Sequence, residues 1–347
     1  MTAFQTKEVC DKISQAGIEQ SNIVAALDLF PKKKILLVGD LIIDIYTECT
    51  AIGKTAKTPT LSVKRGSSKQ YWGGSSLICN NLLAMNGEVT FVAVTGDDWG
   101  YDYFSQRKQP GFQGKFFKDS SRPTTIKERL WVDGYKLLQV DTVENHDISP
   151  QLQEEIFGFI AAEIERHDVL LVADNRHGMM PSAQIQRLKA LCKKVGKPMV
   201  VDTQVSSRWG NLEEYADASI ICVNETEARF FLRDERAPKE ELLARLVEML
   251  RPERLLVKLK HKGVIGWDRT QGIFSFPAVP VAPVDPIGAG DAFLSAATLS
   301  FHPDVNLMTS MFLASCSGAI AVTKMGTDPS TFDEIRDMAL GIIDSCA

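Results

Sequence analysis

Short apolar runs that alternate with helix-period segments are the feature that most restricts what this 347-residue chain can form. The runs are rich in Val, Ile and Leu, which is typical of strands buried on both faces. This alternation predicts an α/β fold with a doubly wound, mainly parallel sheet. The predicted strands are 34–40, 89–94, 168–174, 198–202, 219–224 and 254–259. The predicted helices are 75–86, 150–166, 181–195, 225–233, 238–250, 290–301, 305–323 and 331–345.

Two regions depart from this alternation. Residues 45–72 and 113–142 carry Thr, Lys and alternating apolar residues, which is the pattern of short antiparallel strands. We expect them to be insertions that pair into a small β-sheet lid over the ends of the parallel strands. We expect residues 1–33 to form a helical N-terminal extension and residues 34–347 to form the main domain.

Charge and cysteine usage exclude several classes of protein. The net charge of −5 and the pI of about 5.7 leave no basic footprint, so we expect no nucleic-acid partner. No apolar run is long enough to span a bilayer and residues 1–30 lack a signal-type apolar core, so we expect no membrane partner. The seven Cys include no C-x-x-C pair, which argues against a zinc ribbon or a redox motif. We expect reduced, mostly buried thiols and a cytoplasmic protein.

The segment VDPIGAGDAFLSA (284–296) combines small residues, an acid and a following helix. Gly288 and Gly290 permit unusual backbone conformations, so the amides of Ala289, Gly290 and Asp291 can converge at a helix N-terminus. Such a point attracts an anion, for example a phosphoryl oxygen. Asp291 beside it could accept a proton from an attacking hydroxyl. The alternative is that Asp291 only caps the helix.

This segment resembles the D-T-x-G-A-G-D-x-F signature of the ribokinase-like carbohydrate kinases, the PfkB family, although Pro286 replaces the usual Thr. The resemblance spans roughly residues 34–345. It implies a ribokinase-like fold and phosphorylation of a small-molecule sugar or sugar phosphate. It also implies ATP and Mg²⁺, leaves a monovalent cation open, and places Asp285 on the nucleotide side.

The sugar side of the family's site has counterparts in two segments. In VGDLIIDIY (38–46), Asp40 and Asp44 match the acids that contact the sugar. Gly73 and Gly74 match the glycine turn that lets the backbone approach the sugar. The alternative for the two acids is that they only close a strand.

The nucleotide side has counterparts further along the chain. Asn224 and Glu227 match the family's N-x-x-E motif, in which Glu227 would reach Mg²⁺ through water. The same two residues also form a capping-box pattern, and both roles are compatible. Lys258 and Gly263 lie in the segment that takes the place of the nucleotide-facing strand and turn.

A more specific resemblance is to the D-glycero-D-manno-heptose-7-phosphate kinase type, carried by GDLIIDIY, PTTIKERLWVDGYKLLQVD and KMGT. In those enzymes the second stretch has basic residues close to a sugar phosphate. Lys127 and Arg129 are at alternate positions of a predicted strand, so their side chains would face the same way. The alternative is a solvated lid strand.

Three further residues are candidates for an anionic group. Arg176 follows a predicted strand end, where ligands bind in open α/β sheets, and could hold a phosphate in a bidentate contact. His177 could add a hydrogen bond. Arg208 is a weaker candidate.

The expected activity is therefore an ATP-dependent kinase of a sugar or sugar phosphate, assembled as a homodimer through the lid. A non-catalytic sugar- or nucleotide-binding protein on the same fold stays open, because Leu77 and Lys258 replace the family's usual Asn and Thr. A nucleoside kinase is a further alternative. The sequence argues against a Rossmann dehydrogenase, because no G-x-G-x-x-G follows the first strand, where GDLIID stands instead.

Overall fold

The computed structural model describes residues 3–204 and 210–346, and two sheets organise this part of the chain. In chain order the strands are β1 (Lys34–Gly39), β2 (Leu41–Lys54), β3 (Leu61–Gly74), β4 (Glu88–Thr95), β5 (Phe112–Lys118), β6 (Ile126–Val132), β7 (Tyr135–Thr142), β8 (Val169–Asp174), β9 (Met199–Thr203), β10 (Ile220–Asn224), β11 (Arg254–Lys258), β12 (Val264–Asp268) and β13 (Gly272–Phe276). The α-helices are α1 (Ala3–Gln15), α2 (Gln20–Leu27), α3 (Ser75–Ala84), α4 (Trp99–Ser105), α5 (Pro150–Glu163), α6 (Ser182–Val195), α7 (Glu225–Leu232), α8 (Lys239–Leu250), α9 (Ala289–Leu299), α10 (Leu307–Val322) and α11 (Phe332–Cys346).

The larger sheet has nine strands in the order β13-β12-β11-β10-β9-β8-β1-β4-β5. The seven strands from β11 to β5 are parallel, and β12 and β13 continue the sheet antiparallel. All six predicted strands and all eight predicted helices are present, with boundaries shifted by at most a few residues. The prediction of an α/β fold with a mainly parallel sheet is confirmed.

Burial explains why these apolar runs were recognisable. Residues Ile35 to Val38 in β1 and Leu170 to Val172 in β8 have no exposed side-chain surface, because helices cover both faces of the sheet. A side chain in such a strand contributes roughly 1.5–3 kcal/mol when it is fully buried. The carboxyl ends of parallel strands all lie at one edge of the sheet. Polar residues that follow these strands are therefore brought together at that edge.

The smaller sheet is the lid, with strand order β3-β2-β6-β7. Its two chain segments pair with each other as expected, but β2 and β6 run parallel. The lid prediction for 113–142 was too wide, because β5 pairs with β4 at the edge of the main sheet. Phe116 of β5 packs on Phe91 and Phe104, and this apolar contact explains why the segment joins the core.

The N-terminal helices α1 and α2 pack against the C-terminal helices α10 and α11. Cys10 and Cys346 form a disulfide between α1 and α11, which corrects the expectation that the thiols are reduced. The pairing was not visible in the sequence because 336 residues separate the two cysteines. The other five cysteines are free and buried, as predicted.

Across residues 3–204 and 210–346, no helix combines the length and the apolar character that a membrane crossing requires.

Candidate active site

The parallel strands β9, β10 and β11 end side by side with polar residues. Asp202 is near the end of β9, Asn224 ends β10, and Lys258 ends β11 opposite Asn224. The N-terminus of α9 lies at the same edge, because Gly290 is next to the Lys258 side chain, and the lid strand β2 follows directly after the end of β1. Open α/β sheets bind ligands at this edge, so these side chains define the candidate site.

The predicted glycine turn forms the N-terminus of α9. Gly288 is the N-cap with φ of +82°, a conformation that side-chained residues rarely adopt. A Cβ on Gly288 would lie 2.9 Å from the Leu77 side chain, so Leu77 packs directly under the turn. The first intrahelical bond runs from Ala292 N–H to Gly288 carbonyl, which leaves the preceding amides, including those of Gly290 and Asp291, without intrahelical acceptors. This geometry suits an anion.

Asp291 lies in the first turn of α9, among other carboxylates. Burial raises the pKa of Asp291 to about 7, and the nearby charge of Asp202 adds to that shift. The Lys258 ammonium opposes the shift, while the Asp44 and Glu227 charges reinforce it. A carboxylate with a pKa near neutral pH is well matched to general-base chemistry.

Asp285 ties the glycine turn to a second loop. Its carboxylate is 4 % exposed and accepts hydrogen bonds from the Ile287 amide at 3.0 Å and the Gly326 amide at 3.3 Å. The KMGT segment seen in the sequence is therefore joined to the turn. Pro286 is exposed beside this bridge, and nothing in the structure explains why it stands there instead of Thr.

Asn224 and Glu227 form the capping box that their spacing predicted. The Glu227 amide donates to Asn224 Oδ1 at 2.9 Å, and the Asn224 amide donates to Glu227 Oε2 at 2.7 Å. Burial raises the pKa of Glu227 to about 7, reinforced by the charge of Asp202 and opposed by Lys258. The box holds Glu227 rigidly at the edge of the site.

Asp202 was missed in the sequence. Its Oδ1 lies 3.2 Å from Lys258 Nζ, and both side chains are largely buried. The available signal was an acid directly after the apolar run PMVV, the same pattern that identified other strand-end residues. Gly263, by contrast, is set by the β11–β12 connection, because a Cβ there would lie 2.1 Å from the Phe276 carbonyl oxygen.

On the lid, Asp44 of β2 forms a buried ion pair with Arg129 of β6. Burial raises the pKa of Asp44, and Arg129 and Lys127 oppose that shift. A Cβ on Gly73 would lie 2.3 Å from Asp44 Oδ2, so only glycine leaves room for this carboxylate. Gly74, with φ of +55°, then turns the chain into α3.

Lys127 lies beside Asp44 in the strand register and opposite Asp141 of β7. Across the cleft, burial and the charge of Lys127 lower the pKa of His177 to about 4, while Asp141 acts in the opposite direction. The His177 ring is 3 % exposed, and neither ring nitrogen has a hydrogen-bond partner among the described residues. From the sequence we expected Arg176 to hold the anionic group and His177 only to add a hydrogen bond, but the unpaired ring nitrogens make His177 a candidate of its own.

Asp40 and Arg176 are tied to other protein groups. Asp40 accepts the amides of His177 at 3.1 Å and Met179 at 3.2 Å, so its carboxylate shapes the loop after β8. The Arg176 guanidinium lies 3.4 Å from Asp174, the last residue of β8. Arg208 lies outside the described residues.

The carboxylates near α9 fit a magnesium ion only when a substrate brings further ligands. No group of three or more His, Cys, Asp or Glu side chains in the described ranges is arranged to hold a metal. Mg²⁺ commonly binds through one or two carboxylates, substrate phosphates and water. Glu227, held by its capping box, faces the site and suits such a water-mediated role.

Solved structures share this architecture. Phosphofructokinase-2 of Escherichia coli, solved in complex with substrates and products, superposes with a TM-score of 0.73 at 16% identity over 89% of this chain and 99% of that chain. The ribokinase of Thermotoga maritima superposes with a TM-score of 0.69 at 19% identity, over 89% of this chain and 99% of that chain. At these identities the likeness establishes the ribokinase-like fold.

Sequence comparison adds the family. The bifunctional protein HldE of Helicobacter pylori is 27% identical over 310 residues, 87% of this chain and 66% of that protein. HldE of Bradyrhizobium sp. is 26% identical over 88% of this chain and 63% of that protein, so the chain spans less than two thirds of both relatives. A model of the pfkB family of carbohydrate kinases matches residues 32–334. Because that match covers most of the chain, the protein belongs to the pfkB family of carbohydrate kinases.

Proposed function

We propose that the protein transfers the γ-phosphoryl group of ATP to a hydroxyl of a sugar phosphate resembling heptose 7-phosphate. The observation that carries the proposal is the position of Asp291. It lies at the anion-binding turn of α9, and the charge of Asp44 on the lid contributes to its raised pKa. A base, a phosphate cradle and a sugar-side acid therefore border one cleft.

In the proposed reaction Asp291 accepts the proton of the attacking hydroxyl. The amides of Gly290 and Asp291 face the transferring phosphoryl group, whereas the Ala289 amide donates to the Pro286 carbonyl at 3.5 Å, and Asp285 keeps the turn in place. Mg²⁺, when bound, neutralises charge on the phosphate oxygens, and Glu227 would hold it through water. Phosphoryl transfer is accelerated chiefly by such positioning and electrostatic stabilisation, which this arrangement can supply.

The acceptor side supports a polar, anionic sugar. Lys127 and Arg129 flank Asp44 on the cleft face of the lid. Three buried polar atoms on this face, Arg129 Nε, Tyr46 Oη and Trp131 Nε1, have no hydrogen-bond partner among the described residues. Buried polar groups are rarely left unpaired, so a ligand rich in hydroxyl and phosphate oxygens suits them. Gly73 leaves room for the Asp44 carboxylate that would meet such a ligand, so this glycine supports the acceptor side through Asp44.

The outer face of the lid supports the homodimer that we infer. Leu138 and Val140 of β7 are exposed, and strand alternation places them on the face opposite Asp44. Their neighbours across the register, Leu130 and Glu128, lie on the same outer face. A second copy of the lid would cover this strip.

An ADP-release screen tests the proposal, with free sugars, sugar phosphates including heptose 7-phosphate, and nucleosides as acceptors. We expect turnover with a sugar phosphate and little with the matching free sugar. Asp291→Asn is the control for enzyme-dependent release. Turnover only with nucleosides would favour a nucleoside kinase, and tight ligand binding without ADP release from any acceptor would favour a non-catalytic binding protein.

A further inference from the structure

The Lys258 ammonium lies inside the proposed phosphate site instead of extending into solvent. Lys258 ends β11, and its side chain passes over the end of β10 to reach Asp202 of β9, with an Nζ–Oδ1 distance of 3.2 Å. The Lys258 side chain is 17 % exposed and that of Asp202 is 6 % exposed. A long charged side chain usually extends its charged end into water, so the buried position of the Lys258 ammonium is unusual.

The ammonium also lies against the glycine turn. A Cβ built on Gly290 would lie 3.3 Å from Lys258 Nζ, so the absence of a side chain at Gly290 leaves room for the cation. The cation and the amides at the start of α9 therefore border the same small volume. Both carry positive electrostatic character, and both suit the same phosphate oxygens.

Three carboxylates surround this cation. Burial lowers the pKa of Lys258, but the charges of Asp202, Glu227 and Asp291 raise it more, so the side chain stays protonated. Without Lys258, these acids would repel a triphosphate that approaches the turn. The ammonium is thus a permanent positive charge at the position where negative charge has to be accepted.

We propose that Lys258 binds the phosphate chain of ATP directly and acts as a tethered cation for the transferring phosphoryl group. This inference rests on the proposed kinase function and deepens it. Asp202 is the positioning residue that holds the ammonium next to Gly290. The protein should consequently bind the nucleotide's phosphates without a divalent metal.

The test is calorimetric titration of ATP and of adenosine in the presence of EDTA. Adenosine shares the base and ribose of ATP but has no phosphates. We expect Lys258→Met to weaken metal-free ATP binding by about 10–100-fold, the size of a charge-assisted contact, and to leave adenosine binding unchanged. Lys262→Met removes an exposed lysine from the same segment and should change neither affinity.

Asp202→Asn tests the positioning role. It keeps the ammonium but loses the charged partner, so kcat should fall about tenfold while the affinity for ATP is retained. Lys258→Arg, which keeps a positive charge, should recover part of the ATP affinity lost in Lys258→Met. An equal loss of kcat and ATP affinity in Asp202→Asn would contradict a role limited to positioning.

The possible results separate this inference from the function on which it rests. Equal metal-free ATP affinity in the parent protein and Lys258→Met would overturn the tethered-cation role and leave the kinase proposal intact. ATP binding by the parent protein only with Mg²⁺ would overturn it as well. Failure of the parent protein to bind ATP under either condition would overturn both. If Lys258→Met loses adenosine and ATP binding together, the double variant Asp202→Asn/Lys258→Met, which leaves no unpaired Asp202 carboxylate, is measured as well. Recovery of adenosine binding alone in the double variant supports the tethered-cation role, and any other result in it overturns that role.

Discussion

Arg129 and Asp44 form a buried ion pair that joins the two chain segments of the lid. Arg129 lies on β6 and Asp44 on β2, and their side chains are 10 % and 6 % exposed. The guanidinium also lies over the Tyr46 ring, 5.4 Å from its centre. The proposed sugar-side acid is therefore held in place by a cation that itself faces the cleft.

Arg129→Gln should destabilise the lid and impair acceptor binding. Removing one member of a buried pair leaves an uncompensated charge, which costs about 3–5 kcal/mol. Without Arg129, the pKa of Asp44 should also move further upward, because burial raises it and Arg129 opposes the rise. Urea unfolding and the KM for the acceptor measure the two effects.

Arg65→Gln is the matched control for that variant. Arg65 pairs with Glu128 on the same sheet at 2.7 Å, but its side chain is 61 % exposed. An exposed pair contributes about 0–1 kcal/mol, so stability and acceptor KM should change little. Equal effects of the two substitutions would contradict the special position of Arg129.

Asp291→Asn should abolish most turnover while the fold is retained. Loss of a general base costs about 10²–10⁴-fold in rate. Asp333→Asn provides the comparison, because Asp333 lies in the first turn of α11 and its side chain is 72 % exposed. The readouts are kcat and the thermal unfolding midpoint. A fully active Asp291→Asn enzyme would eliminate Asp291 as the base.

The pH dependence should show an acidic limb near neutrality. Burial, reinforced by Asp202, raises the pKa of Asp291 to about 7, and a base acts only when it is unprotonated. The value of kcat/KM should therefore be highest above pH 7 and fall about tenfold per pH unit below it. Burial also raises the pKa of Asp40 and that of Glu227 to about 7, so binding has to be measured over the same range. A flat profile down to pH 5 would contradict the assignment.

Gly73→Ala should damage acceptor turnover through Asp44. The new Cβ would lie 2.3 Å from Asp44 Oδ2, so the carboxylate has to move. A displacement of about 1 Å can cost about 10²-fold in rate. Gly158→Ala is the control, since its Cβ would meet nothing within 4 Å in α5 and should stabilise the helix by about 1 kcal/mol. Steady-state kinetics of both variants, with circular dichroism as a fold check, decide the matter.

Reduction of the Cys10–Cys346 disulfide should lower stability and spare activity. The bond joins α1 to α11 across 336 residues, and neither helix supplies a residue of the candidate site. Loss of such a cross-link costs about 2–5 kcal/mol. Thermal unfolding with and without dithiothreitol measures this cost. The double variant Cys10→Ser/Cys346→Ser should unfold at the lower temperature in both conditions, and a remaining response to the reductant would point to a different bond.

The local features of this protein could be predicted from the sequence, because each depends on residues that are close together along the chain. Runs of Val, Ile and Leu indicated the buried strands, and Asn224 with Glu227 indicated the capping box that the structure contains. Gly288 and Gly290 before an acid indicated the glycine turn at the start of α9, where Gly288 has the left-handed backbone that glycine permits. Family resemblance then linked these features to a carbohydrate kinase.

The pairing of charges, cysteines and strands that are far apart along the chain could not be predicted in this way. Neither the Lys258–Asp202 contact nor the Cys10–Cys346 bond has a local signal, and β5 looked like part of the lid. These outcomes depend on how the core packs, since burial of Phe116 draws β5 to the main sheet and strand order brings β9 near β11. Residue type and spacing specify the elements and the turn of α9. Packing determines which side chains meet, because those contacts join residues that are far apart along the chain.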